Sequence, residues 1–454
     1  MILTPLRAVD QLNRCLAEID HWNPSVNAMI TVDASGAMAA AQAADHARSL
    51  GNYLGPLHGV PIAVKDNLDT AGLRTTYGSG FFNDHIPQRD ATVVSRLRKA
   101  GAVIVGKCTL HEFAFGVRSN NPVIGQCKNP WDTTKIPGGS SGGSGVAVAT
   151  GMAQMALGTD TGGSVRIPAA LNGVTGLRPT LGRVPNTGCM PVSETHDTVG
   201  PLARTAYEAA VLFSVIAGFD PLDPISENTQ LPNFLSQLSG DIAGIRIGKP
   251  RNHYFDGLEP DVALAIERSI EELKSLGAVI VDVEVPGAEL AHLSATHMIY
   301  SDACATHEHR LLKGGDEWSA QTLERMRMGL AYDGMQYARA MRHREAWCRQ
   351  MQNLFNKVDI LLSPTTLTTA PLIDDHRNLY EATRAVTANT YAGAFAKLPG
   401  ISVPCGYSSS GLPIGLMLEA AMWQEPLLFK VACAYQSITD WHMRHPPKIT
   451  TIRS

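Results

Sequence analysis

One phrase occurs twice in this chain. Residues 91–107 read ATVVSRLRKAGAVIVGK and residues 261–285 read DVALAIERSIEELKSLGAVIVDVEV. In each, an apolar helical pattern stops at a glycine, Gly101 or Gly277, and passes straight into the strand AVIV. Glycine closes a helix cheaply in the left-handed conformation, and an unrelieved apolar strand suits a sheet covered on both faces. Each phrase is thus the αβ half of a crossover unit, which predicts an α/β fold. Further strands are expected in LHGVPIAVKDN (57–67), IRIGKP (245–250), VDILLSPT (358–365), GISVPCGY (400–407) and LPIGLMLE (412–419), and helix from residue 6 to about 50. No linker rich in proline, serine or charge divides the chain, so one domain over residues 1–454 is expected, with a mostly helical insertion over the sheet at about 286–357.

With 44% hydrophobic and 18% charged residues, 454 residues can bury a large core. Lysine and arginine number 38 against 42 aspartates and glutamates, a net charge of -4 with no block of one sign, which argues against nucleic acid or an anionic membrane as partner. The eight cysteines are scattered, without a C-x-x-C pair or a histidine at metal-ligand spacing, and read as buried thiols in a reducing compartment. The N-terminus, MILTPLRAVDQLNRCLAEIDHWN, meets acidic residues too soon for a signal peptide, and no apolar run approaches the ~20 residues of a membrane span. A cytoplasmic protein is expected.

Two glycine-serine stretches, PGGSSGGSG (137–145) and GTDTGGS (158–164), carry the chemistry. A flexible loop is the plain reading of the first, but it is wedged between Pro137 and an apolar run and must enter the core. Neither stretch has the lysine of a phosphate-binding loop, nor G-x-G-x-x-G spacing. Residues 139–143 match G-x-S-x-G around Ser141, though the preceding DTTKIPGG makes a poor strand for a nucleophile elbow. In TGGS, the amides of Thr161, Gly162, Gly163 and Ser164 can line one concavity beside the Ser164 hydroxyl, the arrangement a serine needs to attack an acyl carbon. No histidine, His58, His111 and His196 included, stands in a triad phrase. Lys65, flanked by Pro61 to Val64, would be desolvated and so able to act as a neutral base; the alternative is a lysine paired with Asp66 or another carboxylate. Ser140 can supply the hydroxyl between amine and nucleophile.

These stretches resemble the amidase signature family. GVPIAVKDN matches its lysine at Lys65, PGGSSGGSG its bridging serine, held by a cis peptide, at Ser140, and GTDTGGSVRIPAALNGVTGLRPTLGRV its nucleophile at Ser164 with oxyanion amides at Thr161 to Ser164. The likeness continues through 197–205, 358–366 and 398–419. It implies a large mixed, mostly parallel β-sheet with helices on both faces, and hydrolysis of an amide through an acyl-enzyme without metal or organic cofactor. Ser141, Asp160 and Arg166 are expected to fix the loop around the triad. Thr187, Gly188 and Cys189 are placed by position alone to line the pocket.

The family includes the A subunit of tRNA-dependent amidotransferases, which usually reads Arg-Gln-Pro after the nucleophile where this chain has Arg166, Ile167 and Pro168. VSETHDTVGP (192–201) resembles instead the free-standing amidases of indoleacetamide or mandelamide type. A small-molecule amide is the expected substrate, with aryl carbamate or urea-type bonds as the nearest alternative. Homodimerisation is a family habit without warrant in this sequence. Met298, Tyr300, Trp318, Met326, Met328, Tyr332, Met335 and Tyr337 suggest a wide apolar cleft for an aryl substrate, although ordinary helical core explains them more simply.

Overall fold

Alternation along the strands assigns side chains to two different cores. In Pro61–Lys65, Ile62 and Val64 join one apolar cluster while Ala63 joins another. Val103 and Val105 likewise oppose Ile104, and Ile360 and Leu362 oppose Leu361. Successive strand residues point to opposite faces, so both faces of the sheet are covered. The computed structural model describes residues 6–238, 240–314, 317–375 and 377–448; the first five residues of the N-terminal stretch lie outside them.

The elements begin α1 (Ala8–Val26), β1 (Met29–Val32), α2 (Ala34–Ser49), β2 (Pro61–Lys65), α3 (Thr92–Lys99) and β3 (Val103–Cys108). There follow the short strands β4 (Asn120–Asn121) and β5 (Gly125–Gln126), then α4 (Gly142–Thr150), β6 (Met155–Asp160), α5 (Arg166–Asn172), β7 (Thr175–Arg178), β8 (Thr198–Ala203) and α6 (Ala206–Ile216). Next come β9 (Arg246–Pro250), α7 (Pro260–Ser275), β10 (Val279–Val283), α8 (Ala288–Thr306), α9 (Glu308–Lys313), α10 (Ala320–Leu330) and α11 (Gly334–Leu354). The chain closes with β11 (Ile360–Pro364), α12 (Leu379–Thr387), α13 (Thr390–Phe395), β12 (Gly400–Tyr407), β13 (Pro413–Ala420) and α14 (Glu425–Ile438).

Eleven strands form one mixed sheet in the order β1-β3-β2-β6-β8-β7-β12-β13-β11-β9-β10. Parallel pairing occupies two flanks, β3-β2-β6 and β11-β9-β10, which hold the two AVIV strands. Between the flanks, β6-β8-β7-β12-β13-β11 pair antiparallel. Helices α3, α6, α7 and α14 cover one face. The other carries α1, α2, α4 and α5 at one end and α8, α10, α11 and α13 at the other. Among the described residues no helix is long and apolar enough to cross a membrane. All eight cysteines are unpaired.

One stretch differs from its sequence reading, and a second takes a form that reading left open. The helix expected from residue 6 to about 50 is interrupted by β1: Asn27 turns left-handed after α1, and Met29 and the β-branched Thr31 and Val32 then pair with β3. The glycine-serine tract is no flexible loop, since α4 starts within it at Gly142. Glycine is a poor helix former, but a Cβ on Gly143 would run into the backbone of Ala28 and Thr109, so close packing selects the residue that propensity disfavours.

Candidate active site

Lys65 ends β2 wholly buried on the α4 side of the sheet. Its Nζ lies 2.6 Å from Ser140 Oγ and donates to Thr159 Oγ1 at 2.7 Å and Thr159 O at 3.4 Å. Asp66 is not its partner. That carboxylate faces Lys107 at 3.5 Å and accepts from the amide and hydroxyl of Thr76 at 2.8 and 2.6 Å. Burial without a paired carboxylate pulls the Lys65 ammonium down to about 7, a value at which the neutral amine is abundant. Asn67 Nδ2 also donates to Thr159 Oγ1, at 3.1 Å. The sequence reading assigned no role to Thr159 or Asn67; the only signal is a polar residue at the end of an apolar strand.

The peptide Gly139–Ser140 is cis, and the chain around it is held on several sides. Ser119 Oγ donates to Gly138 O at 2.8 Å, and the Gly142 amide returns a bond to Ser119 Oγ at 2.9 Å. Ser140 O accepts from the His111 amide at 3.2 Å. Ser141 joins the two serine turns: its amide donates to Ser164 O at 3.2 Å, and its hydroxyl bonds Thr159 O and Thr159 N at 3.1 and 3.2 Å. It is thus buried and engaged, unlike the exposed tip of a nucleophile elbow. Ser164 is half-buried, and no described residue holds its hydroxyl.

Asp160 organises the turn before Ser164. It receives Arg166 Nε and Nη2 at 3.1 and 3.2 Å, Arg178 Nη1 at 3.1 Å, and the amides of Gly163 and Val165 at 2.7 and 3.2 Å. The two guanidiniums outweigh burial and hold the carboxyl well below its usual range. Arg166 continues to Glu419 at 3.3 Å and Thr390 O at 3.0 Å. Of the four amides expected to face an oxyanion, that of Gly163 is therefore committed to Asp160, while those of Thr161, Gly162 and Ser164 have no acceptor among the described residues. Gly162 has a packing reason as well: any Cβ there would run into the Tyr391 ring.

Ser164, Thr161 and Gly162 open on a cavity of about 30 Å³. Residues 114–117 form one wall, Ile167 and Val192 another, and Ile299, Tyr300, Arg325, Thr383, Thr387 and Tyr391 the rest. Arg325 is 2% exposed, gives Nη1 to Tyr300 OH at 2.9 Å and Nη2 to Thr383 Oγ1 at 2.8 Å, and leaves Nε unbonded. No carboxylate pairs with it among the described residues, and the sequence reading missed it. Of the apolar set in the helical segment, only Tyr300 reaches this cavity; Met298, Trp318 and Met326 are buried core, Met328, Tyr332 and Tyr337 pack against that core, and Met335 is exposed. Thr187 and Cys189 line a separate cavity with Asp197, and Gly188 lines neither.

The histidines take structural places. His58 bonds Leu54 N at 3.2 Å and Ala44 O at 3.0 Å. His111 and His196 are fully buried, and burial keeps both well below their usual titration range. Among the described residues no three histidine, cysteine, aspartate or glutamate side chains gather at metal-ligand spacing.

Known proteins share this architecture. Residues 10–429 match the Amidase family profile. The A subunit of the Glutamyl-tRNA(Gln) amidotransferase of Roseiflexus sp. (strain RS-1) is 38% identical over 97% of this chain and 95% of its own. A solved structure described as an unexpected vestigial protein complex that reveals the evolutionary origins of an s-triazine catabolic enzyme superposes with a TM-score of 0.90, at 33% identity and 95% coverage of both chains. The A subunit of the Thermotoga maritima Glutamyl-tRNA(Gln) amidotransferase follows at a TM-score of 0.84 and 30% identity, covering 97% of this chain and 95% of its own. With nearly its whole length matched in sequence and its mixed sheet matched in space, the chain belongs to the amidase signature family of amide-hydrolysing enzymes.

Proposed function

We propose that this enzyme acts in the cytoplasm as one catalytic domain and cleaves a small carboxylic amide through an acyl-enzyme, with Ser164 as nucleophile, Ser140 as relay and Lys65 as base. The observation that carries this reading is the isolation of Lys65: a wholly buried amine 2.6 Å from a serine hydroxyl, with no carboxylate in ion-pair contact among the described residues. In the neutral amine, two hydrogens serve the two oxygens of Thr159 and the lone pair is left for Ser140. Ser140 passes its proton to Lys65 as it takes the proton of Ser164, whose Oγ attacks the carbonyl carbon. Charge developing on the carbonyl oxygen meets the free amides of Thr161, Gly162 and Ser164. The C–N bond then breaks as the proton returns through Ser140 to the leaving nitrogen. Water repeats the sequence on the ester and frees the acid.

Arg325 narrows the substrate. A buried guanidinium held, among the described residues, only by two hydroxyls favours a substrate that brings a carboxylate or a similar planar acceptor. An amidotransferase subunit is the second reading, favoured by the names of the relatives. Against it, Ile167 stands where that subunit usually has glutamine and presents an apolar wall to the cavity.

The test is turnover of glutamine, malonamate, an aryl anilide and an aryl carbamate by wild type, Ser164→Ala and Arg325→Met. Ser164→Ala should lose all turnover while staying folded, and Arg325→Met should raise KM for the carboxylated amides far more than for the neutral compounds. Turnover surviving in Ser164→Ala overturns the reading. Glutamine cleavage that appears only when a partner protein is added makes the second reading the right one.

A further inference from the structure

The turn before Ser164 is anchored through its carbonyls, and this aims its free amides. In a trans peptide the C=O and N–H point in opposite directions, so fixing a carbonyl fixes the amide that follows it. Arg178 Nη1 grips the carbonyl of Asp160, and that of Thr161 at 3.3 Å. The amides of Thr161 and Gly162 are thereby turned away from the Arg178 guanidinium. Gly162 O accepts from Thr390 Oγ1, and the next amide, that of Gly163, goes to Asp160.

A residue between two anchored peptide planes can still pivot about its Cα. The Thr161 side chain removes that freedom by donating Oγ1 to Asp197 Oδ1 at 2.5 Å. Asp197 is 4% exposed, and its second oxygen accepts the amides of Val192 and Ser193 at 2.8 and 3.0 Å. Its own carbonyl receives Asn186 Nδ2 at 2.8 Å. Thr161 and Val192 both line the cavity, so one carboxylate ties two of its walls together. Neither Asp160 nor either arginine touches the Thr161 hydroxyl.

We propose that Asp197 is a positioning residue, which aims the Thr161 amide at the oxyanion and sets its distance from the Val192 wall. This rests on the reading of Ser164 as nucleophile. An asparagine at 197 can still accept from Thr161, but its NH2 would then face the two amides of Val192 and Ser193, and one side of the clamp has to open. Loss of the Thr161 hydroxyl opens the other side and leaves the amide itself in place.

Sulfonylation by phenylmethanesulfonyl fluoride tests this without knowledge of the natural substrate. Ser164 Oγ bonds to sulfur, fluoride leaves, the serine proton is taken up through Ser140 by Lys65, and a sulfonyl oxygen carries the developing charge. The second-order labelling rate is read by intact mass in wild type, Ser164→Ala, Thr161→Val, Thr161→Ser and Asp197→Asn. Removing an oxyanion donor costs ~10²–10³-fold, so a mis-aimed one in Thr161→Val and Asp197→Asn should slow labelling by roughly 10- to 100-fold. Thr161→Ser, which keeps the hydroxyl, should lose several-fold less than Thr161→Val. Labelling of Thr161→Val at the wild-type rate, or equal losses in the serine and valine variants, overturns the positioning role. Undiminished labelling of Ser164→Ala overturns the nucleophile assignment instead. If Asp197→Asn does not fold, the two Thr161 variants decide alone.

Discussion

Two buried lysines show how differently one residue type can be used. Lys107 and Lys65 each lie at the end of an apolar strand, and each is wholly buried. Lys107 has Asp66 at 3.5 Å, whereas Lys65 has hydroxyls and a carbonyl. Only the second is an unpaired amine pulled down to about 7. In the proposed mechanism, taking the proton from Ser140 needs a free lone pair, so the active form would be the deprotonated one: the rate should be high above pH 7 and fall as pH drops through that value. Glu419, pushed up to about 7 by burial, titrates in the same window. A pH–rate profile of Glu419→Gln separates the two, since the rise belongs to Lys65 and should persist there; its disappearance would assign it to the carboxyl. Lys65, Ser140 and Ser164 could be proposed from the sequence because each sits in a short stretch whose composition has few other uses. Arg178, Asp197 and Arg325 could not, because what distinguishes them is a partner brought across the fold, and nothing beside them in the chain announces it. The same blindness left open whether Lys65 would pair with Asp66 or another carboxylate.

Among the elements, strands were read more faithfully than the tract before α4. GISVPCGY was expected at 400–407, and β12 occupies that span. Here β-branched and apolar residues report a buried environment directly. Glycines 142, 143 and 145 report only the absence of a side chain, which fits a loose linker and a crowded helix equally well. Strands β6, β7 and β8 went unassigned for a related reason: their glycines and prolines, as in TGLR and TVGPLA, hide fully buried strands behind turn-like composition. Gly143→Ala separates crowding from propensity. Alanine favours a helix over glycine by about 1 kcal/mol, yet its methyl would meet two backbone segments, and overpacking of this kind costs roughly 1–3 kcal/mol. Denaturant unfolding should show net destabilisation; a gain in stability would mean that α4 has room to spare.

At the level of the molecule, the helical segment α8–α11 reaches the loop before β8 through a set of polar contacts. Asp302 on α8 accepts Ser193 Oγ at 2.6 Å, Thr195 Oγ1 at 3.0 Å and Tyr337 OH at 2.8 Å. Arg344 Nη2 on α11 donates to Thr195 O at 2.6 Å. The contacts with Ser193 and Thr195 converge on residues 193–195, inside the loop whose Asp197 holds Thr161. Asp302→Ala should therefore raise amide hydrogen exchange across 191–197 while leaving β2 and β6 protected. Unchanged exchange there would show that Asp302 does not fasten this loop. That the segment's methionines and tyrosines mostly serve apolar packing was readable from their helical spacing; that Arg325 among them turns toward the cavity was not.

The strand order also dictates when this molecule becomes an enzyme. β12 and β13, which end at residue 420, lie between β7 and β11 in the middle of the sheet, and Glu419 and Thr390 brace the turn that carries Ser164. A chain emerging from the ribosome carries Lys65, Ser140 and Ser164 long before the residues that secure their arrangement. The two flanks can assemble early as parallel units, but they remain unjoined until β12 and β13 are made. Catalytic competence is thus withheld from every product of translation that stops short of them.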